Sequence, residues 1–199
     1  MEAGDEHQQL DSAAPIYLDS RGRYLPEQRP PDPPDAGDET ATLLGFLARQ
    51  RATFAWRCGG LDAAGLRATI GASPTSLGGM LKHLARFEDD MSAEWLHGRA
   101  QQPPWNSVDW AADHDWDWRS AADDTPEQLF ALWRDAVARS RVLFTAALAE
   151  DGPERRGGDG LPSLRYILLN MIEEYARHNG HADLIRESVD GLVGHDPPE

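Results

Sequence analysis

A carboxylate and two imidazoles fall within two helical turns in the stretch EEYARHNGHADLIRE, residues 173–187: Glu174, His178 and His181. A Glu and a His four residues apart share one helix face, with roughly 5–6 Å between their Cβ atoms, and can converge on one cation. His83, in the distant segment GGMLKHLARFE, offers a third donor. Three protein ligands around a divalent ion leave a position open for water or substrate, which is how catalytic zinc sites are built. His181 is the rival third ligand, because two His three apart on one helix also chelate, but that choice leaves Glu174 without a role. The plainer readings are an ordinary i,i+4 Glu174–His178 pair, histidines at the core edge hydrogen-bonded to carbonyls or carboxylates, and His83 capping a cavity.

These residues can act together only if helices bring them to one place, and the apolar spacing predicts such helices. On the last, opening near Ser163 and running to about Gly191, one seam reads Leu164, Leu168, Met171, Tyr175, His178, Ala182, Ile185, Val189. A neighbouring seam reads Ile167, Met171, Glu174, His178, His181, Ile185. His178 belongs to both and faces inward, and Glu174 lies one turn before it. A carboxylate buried there is costly unless it is paired or bound to a cation. The first helix opens at Asp38 or Thr40 and stops at Gly59-Gly60;. The second is expected from near Ser73, with Pro74 at its first position, and carries His83 between Met80 and Phe87. The third opens at Thr125 with Pro126 first. Four long helices without a convincing strand predict an all-α, four-helix bundle over 38–194, whose core is a common place for metal sites.

Two segments lie outside that pattern. Residues 1–37 are acidic and proline-rich, with four prolines in RPPDPPDAGD, and predict an extended N-terminal segment or a strap on the bundle;. Residues 195–199 form a short C-terminal tail. The connection between the second and third helices, PPWNSVDWAADHDWDWRSAADD, is long for a crossover and carries Trp105, Trp110, Trp116 and Trp118;. These tryptophans either wall a pocket over the metal site or pin the crossover to the bundle. Asp113, Asp115, Asp117 and Asp124 stand at calcium-loop positions one, three, five and twelve, but Trp118 replaces the required glycine and the last position is Asp rather than Glu;.

Composition limits the partners. The 199 residues carry 34 Asp and Glu against 19 Lys and Arg, a formal charge of −15. This argues against nucleic acid, which needs clustered cations, and against anionic membranes. No apolar run is long enough to span a bilayer. The acidic N-terminus MEAGDEHQQLDSAAP lacks a signal-peptide core, so a cytoplasmic location is expected;. The single cysteine, Cys58, excludes an intramolecular disulfide and is expected at a helix end without a reactive role;.

With GGMLKHLARFE followed by MIEEYARHNGHADLIRE, the chain resembles the DinB-like superfamily of metal-binding four-helix bundles. It looks closest to an actinobacterial branch of uncharacterised "mini-circle" proteins. GDETATLLGFLARQRATFAW and DDTPEQLFALWRDAVARSR extend the likeness over about residues 30–194. In typical DinB-like proteins the last helix gives two His spaced by four. Here Glu174 takes the first of those places and His178 the second, with His83 matching the ligand of the second helix. The related mycothiol-dependent maleylpyruvate isomerases also use a Glu in that place around zinc. The resemblance implies a zinc or nickel ion, with Glu88, Asp183 or His181 as outer partners or alternative ligands. It also implies a small-molecule substrate and an S-transferase activity with a low-molecular-weight thiol such as mycothiol. The isomerases carry a further C-terminal domain, which makes a transferase the expected activity here. A non-catalytic metal- or ligand-binding bundle is the alternative, and a homodimer is compatible with either.

Overall fold

The computed structural model describes residues 17–194. All of its α-helices except the short Trp116–Ser120 begin where a side chain can accept the first free amide hydrogens. Asp38 accepts from Ala41 N–H and opens α1, Glu39–Cys58. Asp62 accepts from Gly65 N–H and opens the short α2, Ala63–Arg67. Ser76 accepts from Gly79 N–H and opens α3, Leu77–Asp89. Thr125 and Gln128 form a reciprocal capping box at the start of α5, Pro126–Asp151;. Ser163 caps α6, Leu164–Asp190, which stops at Gly191 in the left-handed conformation;. Between α3 and α5 lies α4, Trp116–Ser120.

The four long helices stand where the apolar spacing predicts them, and the all-α class holds. There are two departures among the boundaries. The helix bearing His83 starts at Leu77 rather than with Pro74 at its first position, because the Ser76 hydroxyl takes the Gly79 amide and residues 73–76 run without regular structure after a turn closed from Ser73 N–H to the Ile70 carbonyl. Beyond Asp89 it widens into a π-helical turn, Asp90–Trp95. The long crossover is ordered by α4 and by two 3-10 turns, Trp105–Ser107 and Ala121–Asp123.

Packing divides the bundle into two pairs: α1 runs along α6, and α3 along α5. A buried polar cluster ties the pairs together. Arg51 of α1 donates from Nε to Glu88 Oε1 (2.7 Å) and from Nη2 to Oε2 (2.5 Å). Ser140 of α5 donates to Glu88 Oε2 (2.5 Å), and Tyr175 of α6 donates to Oε1 (2.7 Å). Tyr175 in turn accepts from Trp133 Nε1 at 2.9 Å. Glu88 is fully buried, yet its carboxylate is matched by one bidentate guanidinium and two hydroxyls, so the cost of desolvation is met by charged hydrogen bonds;. Around it, Phe54 packs edge-on to both Trp133 and Tyr175.

Residues 17–25 fold onto this core. Tyr17 and Leu18 are buried, and Leu18 pairs with Tyr24 in an isolated antiparallel bridge. The turn between them needs glycine at position 22: φ is +72°, and a Cβ there would lie 2.0 Å from the Phe130 ring. Gly22→Ala is therefore expected to destabilise the fold by about 1 kcal/mol or more. An unchanged denaturant midpoint would mean that this turn is not docked on α5 in solution.

Candidate metal centre

His83 projects from α3 toward Glu174 and His178 on α6. His83 Nε2 lies 3.1 Å from Glu174 Oε1, and His178 Nε2 lies 3.0 Å from the same oxygen. One donor atom from each residue falls within 4.8 Å of the others, and among the described residues this is the one group of three or more His, Cys, Asp or Glu that comes together so closely. Bonds of about 2.0–2.2 Å in a tetrahedral site place ligand atoms about 3.3 Å apart. The two nitrogen–oxygen spacings are near that value and the third pair of donor atoms lies within 4.8 Å, so two imidazole nitrogens and one carboxylate oxygen are compatible with a divalent ion.

The imidazole orientations are set from outside the triad. His83 Nδ1 lies 3.0 Å from Asp117 Oδ2. A carboxylate only accepts, so Nδ1 carries hydrogen and Nε2 is the nitrogen left to face Glu174. Asp117 is almost fully buried and also lies 3.5 Å from the Arg86 guanidinium. Burial disfavours its charge, but the His83 hydrogen bond and Arg86 hold its carboxyl below the usual value. This is the carboxylate–histidine arrangement that fixes tautomer and ring orientation behind many metal ligands. His178 Nδ1 faces His181 Nδ1 at 3.5 Å, which likewise leaves His178 Nε2 for the shared centre.

Charge has gathered at this point. Hydrogen bonds from His178 and then His83 hold the Glu174 carboxyl far below its ordinary 4.5. Burial works against a charged His83, but hydrogen bonds to Asp117 and Glu174 outweigh it and raise its pKa above 6.5. The raised pKa of His83 beside an ionised Glu174 thus favours a proton where a cation would otherwise sit, so ion binding there must release it;.

Trp118 covers this arrangement. Its ring stacks on His83 with centroids 4.6 Å apart and planes at 26°, and it also meets His178 at 5.4 Å. The approach depends on Gly79, where a Cβ would come within 2.9 Å of Trp118 Cε3.

The model of the mycothiol-S-transferase family matches residues 42–191. The chain belongs to that family. The DinB-like resemblance read from the sequence stands with it. No curated protein matches the chain, and no solved structure does.

Within this mycothiol-S-transferase fold, the other expected site residues lie in different surroundings. His181 touches the far nitrogen of His178 rather than the shared centre. Glu88 is committed to Arg51, Ser140 and Tyr175, and Asp183 pairs with Arg57. Of the four crossover tryptophans only Trp118 meets the triad. Trp105 is in the core and donates to Asp89. Trp110 lies over Arg86 and Trp116 over Lys82, so both clamp the crossover to α3. The four Asp at calcium-loop spacing diverge: Asp113 pairs with Arg119, Asp117 with His83 and Asp124 with Lys82, while Asp115 lies exposed. Cys58 is buried, and burial pushes its thiol well above the ordinary range, which removes it as a nucleophile;.

Asp117 is the functional residue that the spacing analysis missed. The available signal was an acid flanked by Trp116 and Trp118 in a segment that has to lie on an apolar bundle. A carboxylate carried inward by two tryptophans needs a partner, and His83 supplies it. No candidate membrane-spanning helix occurs among the described residues.

Proposed function

We propose that this protein is a divalent-metal-dependent S-transferase that joins a low-molecular-weight thiol of the mycothiol type to a small electrophile. One observation carries the reading: Nε2 of His83, Nε2 of His178 and a Glu174 oxygen converge across α3 and α6 in a member of the mycothiol-S-transferase family. His83, Glu174 and His178 would hold the ion, zinc or nickel by the character of the donors. Bound there, it supplies Lewis acidity that lowers the pKa of a thiol or water to near neutrality.

The chain's own groups do the rest. Asp117 holds His83 in the tautomer that presents Nε2, and His181 does the same for His178. The triad side chains remain between 8% and 19% exposed, so a small molecule can reach them while most water is kept away. In the reaction the thiol loses its proton, a carbon–sulfur bond forms at the electrophile, and the leaving group departs with the bonding pair. The released proton leaves to solvent through the exposed side of the triad.

The test uses untagged protein reconstituted with zinc or nickel. It is incubated with mycothiol and a panel of electrophiles, and S-conjugates are read by mass spectrometry beside elemental analysis. Conjugate that requires both ion and His178 supports the proposal. Bound ion without conjugate from any electrophile would leave a bundle that holds a metal without turnover. Asp117→Asn should fold normally and bind the ion about 10–100-fold more weakly in competition with a chromophoric chelator; equal affinity would remove Asp117 from this role.

A further inference from the structure

A cavity of about 580 Å³ shares one wall with the triad, the Trp118 ring. It is bounded by α2, the chain between α2 and α3, α4, and the first turn of α5. Its inner surface is apolar, built by Leu66, Ala121 and Leu129. Gly78 keeps that wall thin: a Cβ there would come within 3.1 Å of the Leu66 carbonyl and 3.3 Å of Leu129 Cδ1. The volume falls within the range of small-molecule sites, which are apolar with a few fixed polar groups.

Charge at the cavity is unevenly committed. Asp124 is neutralised by Lys82 at 2.6 Å, and Arg119 by Asp113. Arg67 differs. Its Nε and Nη2 both donate to the Ala122 carbonyl, at 3.1 and 2.7 Å, which holds the guanidinium in place. Among the described residues it has no acidic partner, and its Nη1 donates to nothing. Asp115 also lacks an ion-pair partner, but nothing fixes its exposed carboxylate. An anchored cation beside an apolar recess is pre-organised for an anion carrying an apolar body.

We propose that this cavity binds a small amphipathic monoanion, an aryl or short alkyl group with one carboxylate or sulfonate against Arg67. The five-residue α4 links it to the triad: Asp117 and Trp118 face His83, while Asp115, Trp118 and Arg119 line the cavity. Such a ligand has two possible sources. As the acceptor of thiol transfer, a role that rests on the transferase reading, it would lie one indole ring from the ligand set. As an effector, it would act through the position of α4. The binding itself requires neither role.

The test is titration of metal-loaded protein with 4-phenylbutyrate, followed by calorimetry and by the indole N–H resonances. The neutral 4-phenylbutyramide serves as the charge control. Saturable binding that shifts the Trp118 indole is expected, about tenfold weaker for the amide and for Arg67→Gln, the worth of one charged hydrogen bond. Filling the recess with Ala63→Trp, or independently with Thr75→Trp, should remove binding of both probes while the metal content stays unchanged. No saturable binding, equal affinity for acid and amide, or indifference to both filling variants would overturn the proposal. In turnover with thiol, 4-phenylbutyrate that raises only the KM of an apolar electrophile marks the cavity as the acceptor's, and a change in kcat alone marks an effector. If wild type transfers thiol to no electrophile, the transferase reading falls, and the binding titration still decides the cavity.

Discussion

Arg51→Met should come close to unfolding the bundle. The substitution leaves Glu88 fully buried without its counter-charge, and only the hydroxyls of Ser140 and Tyr175 remain to hold it. Removing one partner of a buried ion pair costs about 3–5 kcal/mol, against a total stability of about 5–15 kcal/mol. The urea midpoint should fall accordingly. The double variant Arg51→Met with Glu88→Leu should recover much of the loss, since the stranded charge is gone. A single variant within about 0.5 kcal/mol of wild type, the range of ordinary surface changes, would mean that the pair is hydrated in solution. The effect extends to the triad through chain connectivity. Tyr175 follows Glu174 directly, so a cluster that fixes Tyr175 against α3 also fixes where Glu174 meets His83.

His178→Ala carries the second large effect. Metal content should drop from about one equivalent to background, because two donors from different helices no longer close a site. Retention of the ion would move the site elsewhere and end the proposed assignment. The pH dependence separates the two forms of wild type. In metal-free protein His83 has a raised pKa, so its contribution is fully present below the ordinary 6.5 and is lost as pH rises through the raised value;. Glu174 has a depressed pKa, so its contribution is present above the ordinary 4.5 and is lost as pH falls through the depressed value;. Both act together between those two ordinary values. Metal-free protein should thus gain from this cluster in mildly acid solution, where metal-loaded protein loses its ion to competing protons. Melting curves with and without chelator should lie apart at neutral pH and converge as pH falls toward about 5, and a gap that stays constant across pH 5–8 would show that protons and the ion do not compete for the triad.

The helices were legible because apolar residues recur at three- and four-residue steps over several turns, long enough for periodicity to show through. Glu174 and His178 were legible because their spacing is local. The remaining relations were not local. Asp117 and His83 are 34 residues apart, and Asp117 sits on a five-residue helix too short to carry a period. Of the four acids that suggested calcium spacing, Asp113, Asp117 and Asp124 each found a different partner and Asp115 stayed exposed, since an Asp answers to the nearest cation or imidazole in space. Glu88, one helical face from His83, read as an outer partner of the metal. It is instead turned toward Arg51, which lies in a helix whose apolar stripe gave no sign that an arginine was buried in it. The tryptophan-rich crossover divides residue by residue: Trp105, Trp110 and Trp116 pin the segment, and Trp118 alone reaches the triad.

The division of the bundle into two helix pairs gives the proposed ion a further consequence. His83 and Glu174 are 91 residues apart and belong to different pairs, so an ion between them is a cross-link that closes a long loop. By chain-entropy reckoning a covalent closure of that length is worth about 4–5 kcal/mol. A coordinate link gives this up whenever the ion leaves. Cells short of the metal would then lose the protein as well as its chemistry, because the pairs part more often and proteases act on the opened chain. Protein abundance would follow metal supply with no change in synthesis.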